Sequence, residues 1–325
     1  MRVAETVRGP VAENQLGQTL MHEHIFIREP ELEANYPDSE ADDERLLEVA
    51  ISGLESLFES GVTTVVDLTV LGLGRDIRPV REIASRTRVN IVVATGYYTK
   101  RDLPPYFRNR GPGRRIDVAE PLETMFKTDI YEGIAGTGIK AGMIKVVTDE
   151  EGVTPDVERV LSAASTVHLE TDVPITTHTN AAHFTGRLQQ AFFRSRDVDL
   201  SNVVIGHCGD TDNLEYLKEL MDNGSTIGMD RFGVPSYLSD ARRIDTVVSL
   251  CASGYADRMV LSHDVSFFSI SFPPRYRKTE MPDWGFEHLP SRILPELKRR
   301  GVTDSQIAQM MVENPARILC RDRGK

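Results

Sequence analysis

The chain has 325 residues, 40% hydrophobic and 27% charged, enough to bury a full core without disulfides. Its formal net charge of −11 repels phosphate backbones and anionic lipid surfaces, which sets nucleic-acid and membrane binding aside. The three cysteines, Cys208, Cys251 and Cys320, are widely spaced without a C-x-x-C and read as free thiols of a reducing compartment; with no apolar leader over residues 1–6, a cytoplasmic location is expected.

Short apolar runs alternate with longer helical patterns. In chain order the expected strands are 18–24, 62–68, 89–95, 141–147, 173–177, 202–205, 226–229 and 258–261. Amphipathic stretches at 43–59, 154–169, 213–222, 239–253, 289–300 and 303–311 predict helices, the last opening on a capping box from Thr303 to Gln306. Alternation of this kind implies a parallel sheet, and eight repeats predict a closed (β/α)8 TIM barrel. Residues 1–325 read as a single α/β domain with its active site at the C-terminal face of the strands. No Gly-rich phosphate loop follows any strand, since Gly72-Leu73-Gly74 is too short. Segments 104–115 and 267–284 are expected as long loops after strands three and eight.

Histidines gather at the expected strand ends. His22 and His24 lie two apart in M-H-E-H, so both imidazoles face one side of strand one and can chelate one divalent ion. His178 ends strand five, His207 ends strand six and Asp264 follows strand eight. Singly, each also reads as a structural histidine or a capping aspartate. Together, at one face of a barrel, they predict a metal site for zinc, iron, cobalt or manganese. Lys145 stands inside the apolar run M-I-K-V-V. It is either paired with a carboxylate or, its amine neutral through desolvation, carbamylated as an anionic bridge between two metals. Of the remaining histidines, His168 and His288 are expected at the surface, His183 near a loop, and His263 facing away from Asp264.

In order along the chain, M-H-E-H at 21–24, I-K-V at 144–146, T-H-T at 177–179, G-H-C-G-D at 206–210, M-D-R-F-G at 229–233 and L-S-H-D at 261–264 resemble the phosphotriesterase-like lactonases of the amidohydrolase superfamily. The likeness runs from about Thr6 to Leu319. It implies two divalent metal ions. One would be held by His22, His24 and Asp264 and the other by His178 and His207, bridged by carbamylated Lys145 and a hydroxide. It also matches Tyr97 to a tyrosine beside that hydroxide and Arg231 to an arginine at the pocket mouth. A homodimer is implied as well.

The resemblance implies hydrolysis of lactone rings, with N-acyl-homoserine lactones as the expected small-molecule substrates and weak promiscuous phosphotriesterase activity. Asp264, Tyr97 and Arg231 are the expected catalytic residues: Asp264 would take the hydroxide proton and pass it to the leaving ring oxygen, Tyr97 would help stabilise the oxyanion, and Arg231 would stand at the pocket mouth. The aromatic segment after strand eight suits an acyl chain, and Phe268, Phe272 and Trp284 are expected to wall its pocket. Two alternatives stand beside this reading. An organophosphate triester is the main substrate in the first, and the barrel is a catalytically silent binding protein in the second.

Overall fold

The computed structural model describes residues 2–37 and 40–322. Eight strands follow one another around a parallel barrel: β1 (Gln18–Ile27), β2 (Val62–Asp67), β3 (Asn90–Gly96), β4 (Met143–Thr148), β5 (Ile175–Thr179), β6 (Val203–Ile205), β7 (Thr226–Met229) and β8 (Met259–Leu261). Each pairs in parallel with the next. Closure comes from the chain just past β8. The Asp264 amide donates to the His22 carbonyl at 3.0 Å, and the His24 amide donates to the Val265 carbonyl at 2.9 Å. A ninth strand, Ser266–Ser269, then pairs in parallel with β1.

The strands read as nearly unbroken apolar runs because both faces are covered. Inside the barrel, Met21, Val66, Val92, Met143, Val204 and Val260 pack together. Outside it, the larger core lies between strands and helices. The helix Asp43–Glu59 buries Leu46, Ala50, Leu54 and Leu57, an apolar stripe at helical spacing, and Asp42 caps its start by accepting from the Arg45 amide. Thr154 and Pro155 start Pro155–Thr171 in the expected way, and the Thr303–Gln306 capping box forms. A small antiparallel sheet of Arg2–Ala4, Val11–Ala12 and Arg321–Asp322 completes the described structure.

The barrel agrees with the sequence reading, and its differences are local. The helices Ile77–Arg86, Pro121–Tyr131 and Thr185–Arg194 were not singled out in the sequence. The two expected loops carry short elements, the helix Pro105–Asn109 in the first and the strand Ser266–Ser269 and helix Pro274–Glu280 in the second. The C-terminal helical stretch runs on to Leu319. Among the described residues, no helix is long and apolar enough to cross a membrane.

Candidate active site

Every barrel strand delivers its C-terminal end to one face, and a cavity of about 740 Å³ opens there. β1 brings His22 and His24, β4 brings Lys145 and β5 brings His178. The others come from the turns just after strands. His207, Arg231 and Asp264 all adopt left-handed backbone, with φ of 60°, 66° and 57°. For L-residues that conformation is costly and tends to persist where the surroundings require it. Here it aims three side chains back over the barrel mouth.

The donor atoms converge. His207 Nε2 lies 2.9 Å from His178 Nδ1, and Lys145 Nζ lies 2.9 Å from His22 Nε2. Asp264 Oδ1 stands 3.2 Å from His24 Nε2 and 3.5 Å from His22 Nε2. His22, His24 and Asp264 place ligand atoms within 4.8 Å of one another, and so do His22, His207 and Asp230. This is the spacing needed to hold a divalent ion.

Behind the cage, each imidazole is anchored through its other nitrogen. Asp230 takes two of them, His207 Nδ1 at 2.9 Å and His22 Nδ1 at 3.1 Å, and also accepts from the His207 amide at 3.0 Å. Asp149 lies 3.1 Å from His178 Nε2 and is held by Lys100 at 2.6 Å and Asn180 at 2.9 Å. His24 Nδ1 meets the Thr69 hydroxyl at 2.9 Å. Arg231 spans two carboxylates, donating from Nε to Asp264 at 2.9 Å and from Nη1 to Asp210 at 2.7 Å.

Burial sets the charges. It lowers His22, pushes His178 down to about 4 and takes His207 well below its ordinary value, so all three are neutral at neutral pH. Desolvation lowers Lys145 to about 7, which leaves much of it as free amine. Burial alone would raise Asp264, yet its hydrogen-bonding and charged neighbours, the Arg231 guanidinium among them, hold it well below the usual carboxylate range and keep it ionised. Neutral imidazoles and an ionised carboxylate are the forms a cation-binding cage requires.

These shifts fix how stability responds to acid. In metal-free protein His22, His178 and His207 stay neutral when folded, whereas in the unfolded chain they take up protons below about 6.5. The stabilisation is complete above that value, falls as pH drops through it, and levels off near the folded value of about 4 for His178. A denaturant series on metal-free protein is expected to show a falling midpoint across this window, and a flat one contradicts the assignment.

The structure gathers His22, His24, Lys145, His178, His207, Arg231, Asp264, Phe272 and Trp284 around the cavity. Phe272 and Trp284 meet edge to face with centroids 5.7 Å apart, and the Trp284 indole N–H donates to the His263 carbonyl at 2.8 Å. Two expected residues are elsewhere. Tyr97 does not line the cavity; its ring packs edge-on against Phe107 at 5.1 Å, and the next residue, Tyr98, takes the place beside His178, centroids 5.6 Å apart. Phe268 is fully buried among the core residues outside the barrel, 5.4 Å from the Arg28 guanidinium, because its segment forms a ninth strand on β1.

Two surface assignments also change. His168 is buried, with Nδ1 2.8 Å from the Val173 carbonyl. His288 is largely covered and binds Asp240 at 2.7 Å. His263 faces away from Asp264 as expected, toward Glu23 at 2.8 Å, and His183 is exposed outside the cavity. Asp230, Asp149 and Lys100 were not picked out in the sequence. Asp230 lies inside the M-D-R-F-G motif, immediately after β7, the same position relative to its strand that drew attention elsewhere.

The sequence profile of the Phosphotriesterase family matches residues 2–319. A solved structure of the phosphotriesterase from Mycobacterium tuberculosis superposes with a TM-score of 0.95 at 47% identity, covering 98% of both chains. A mutant of a Deinococcus radiodurans PTE-like lactonase superposes with a TM-score of 0.86 at 33% identity, covering 97% of this chain and 99% of that one. An aryldialkylphosphatase from Saccharolobus solfataricus is 38% identical over 98% of this chain and 99% of its own length.

Proposed function

The chain belongs to the phosphotriesterase family, a family of hydrolases, and on that premise we propose that it is a binuclear-metal lactonase opening N-acyl-homoserine lactones and related rings. Slower turnover of aryl phosphotriesters accompanies this activity. The observation that carries the reading is the adjacency, in one cavity, of the histidine–carboxylate–lysine cage and an apolar wall of Phe272 and Trp284. A lactone with an acyl tail has a carbonyl for the first and a chain for the second.

The donor set fits two divalent ions. His22, His24 and Asp264 would hold one and His178 and His207 the other, with Lys145, carbamylated, between them. When bound, such ions polarise the scissile oxygen and acidify water.

The chain's own groups then do the following. Asp264 stays ionised and accepts the proton of the attacking water, then returns it to the ring oxygen as that bond breaks. Arg231 fixes the Asp264 carboxylate through Oδ2. Burial pushes the Tyr98 phenol up to about 12, so it remains protonated and acts as a hydrogen-bond donor to the developing oxyanion. Phe272 and Trp284 exclude water and seat the acyl chain. The product is an open hydroxy acid.

Tyr98→Phe is expected to lower kcat by on the order of 10²-fold, the effect of removing an oxyanion donor, whereas Tyr97→Phe leaves kcat near the parent value. Equal effects of the two substitutions on steady-state kcat would contradict the placement of Tyr98.

The rival substrate class is the aryl phosphotriester, favoured by the 38% identical aryldialkylphosphatase. Initial rates on a chain-length series of acyl-homoserine lactones and on an aryl dialkyl phosphate separate the two. The lactonase reading expects larger kcat/KM on the lactones, rising with acyl length as the aromatic wall fills. Faster turnover of the phosphate ester, with no dependence on acyl length, makes the rival the main activity.

A further inference from the structure

Of the four cage histidines, His24 alone has no carboxylate at its second ring nitrogen. Its Nδ1 lies 2.9 Å from the Thr69 hydroxyl, and that hydroxyl donates to Asp67 Oδ1 at 2.6 Å. The three residues are buried, with exposures of 4% for His24, 5% for Thr69 and 3% for Asp67. The relay is built by neighbouring strands. Asp67 ends β2 opposite Glu23 of β1, and its Oδ1 also accepts from the Ile25 amide at 3.3 Å and the Thr69 amide at 3.1 Å.

Counting protons fixes every direction in this chain. An oxygen that already accepts from two backbone N–H groups has no room for a proton of its own aimed at Thr69. The Thr69 hydroxyl proton therefore goes to Asp67 Oδ1 whether or not the carboxyl is ionised. A hydroxyl has one proton, so toward His24 it offers only a lone pair. His24 Nδ1 must then be the donor, and in the neutral imidazole the lone pair falls on Nε2, which faces Asp264 Oδ1 at 3.2 Å. The wrong tautomer would place a proton on the atom that faces the cage.

We propose that Thr69, backed by Asp67, is a positioning residue that sets the tautomer and ring plane of His24 for metal binding. The inference rests on the reading of His24 as a metal ligand. Thr69→Val keeps the shape of the side chain and deletes the hydroxyl, leaving Nδ1–H without a partner. Thr69→Ser restores the hydroxyl. Removal of a group that orients a ligating histidine weakens metal binding by roughly 10–100-fold.

The test is zinc affinity of metal-depleted protein, measured by competition with a chelator. Thr69→Val is expected to weaken the site by that factor, with Thr69→Ser close to the parent. Parent-like affinity in Thr69→Val, beside tight binding by the parent, removes the relay and leaves the metal reading intact. Affinity in Thr69→Ser as weak as in Thr69→Val assigns the loss to packing and also overturns the proposal. Failure of the parent to bind zinc overturns the metal reading and the relay with it. Should Thr69→Val not fold, ¹⁵N shifts of the imidazoles in the metal-free parent decide the matter, with His24 assigned from a His24→Gln sample. An Nδ1–H tautomer supports the relay, and an Nε2–H tautomer overturns it.

Discussion

Asp264→Asn is expected to lower kcat by roughly 10²–10⁴-fold, the range for loss of a positioned acid–base group, while the unfolding midpoint stays near that of the parent. The amide has nearly the shape of the carboxyl and keeps one oxygen for the Arg231 Nε–H, which donates to Oδ2 at 2.9 Å. The left-handed turn at residue 264 tolerates asparagine well. What the amide lacks is the capacity to take a proton from water and return it to the leaving oxygen. It also removes negative charge from beside His22 and His24, so the comparison is made on samples whose metal content has been measured and matched. Full activity in matched Asp264→Asn protein removes the proton-transfer role.

Asp230→Ala has the largest expected effect on the folded state. One carboxylate accepts from His207 Nδ1, His22 Nδ1 and the His207 amide, all in a fully buried setting. Deleting it leaves three buried donors without partners and two imidazoles free to turn. A loss of about 3–5 kcal/mol is expected, as for other broken buried charged networks. Because His22 and His207 belong to different metal positions in the proposed centre, zinc binding should weaken at both. Chemical denaturation of metal-free Asp230→Ala measures the first effect, and zinc stoichiometry under chelator competition measures the second. A stability change below about 1 kcal/mol, typical of an ordinary substitution, contradicts this account of Asp230.

The cage was legible because of periodicity. Once strand and helix alternate, strand ends share a face, and His22, His24, His178 and His207 were each identifiable as strand-end residues from their local apolar runs. Lys145 stood out because an ammonium inside M-I-K-V-V is costly to bury, whether it pairs with a carboxylate or is carbamylated. The errors came where a single residue changes sides. Tyr97 rested on the resemblance alone, and because Gly96 takes a φ of 138° at the end of β3, strand alternation does not decide which of the two adjacent tyrosines faces the cavity. The result is Tyr98 in the site and Tyr97 against Phe107.

Phe268 illustrates a different limit. Its exclusion from the cavity depends on a pairing between residues 266–269 and β1, some 240 positions away in sequence, which no local pattern encodes. His168 is expected at the surface of a helix from sequence, but the turn at Asp172, with φ of 57°, brings the Val173 carbonyl to its Nδ1, and the residue is buried. Asp230 was overlooked beside Arg231, although both follow β7. The groups behind the cage are hardest to read because they act through partners on other strands. Thr69 meets His24, Asp149 meets His178, and neither pair is near in sequence.

The most direct test of the central claim, that the cage is a metal-dependent hydrolytic centre, is a zinc titration of metal-depleted protein with lactone hydrolysis and bound metal followed together. Turnover is expected to be absent at the start, to rise with bound metal, to reach its plateau at two ions per chain and to vanish again on chelation. Undiminished lactone turnover in protein shown by elemental analysis to hold no metal would contradict the account.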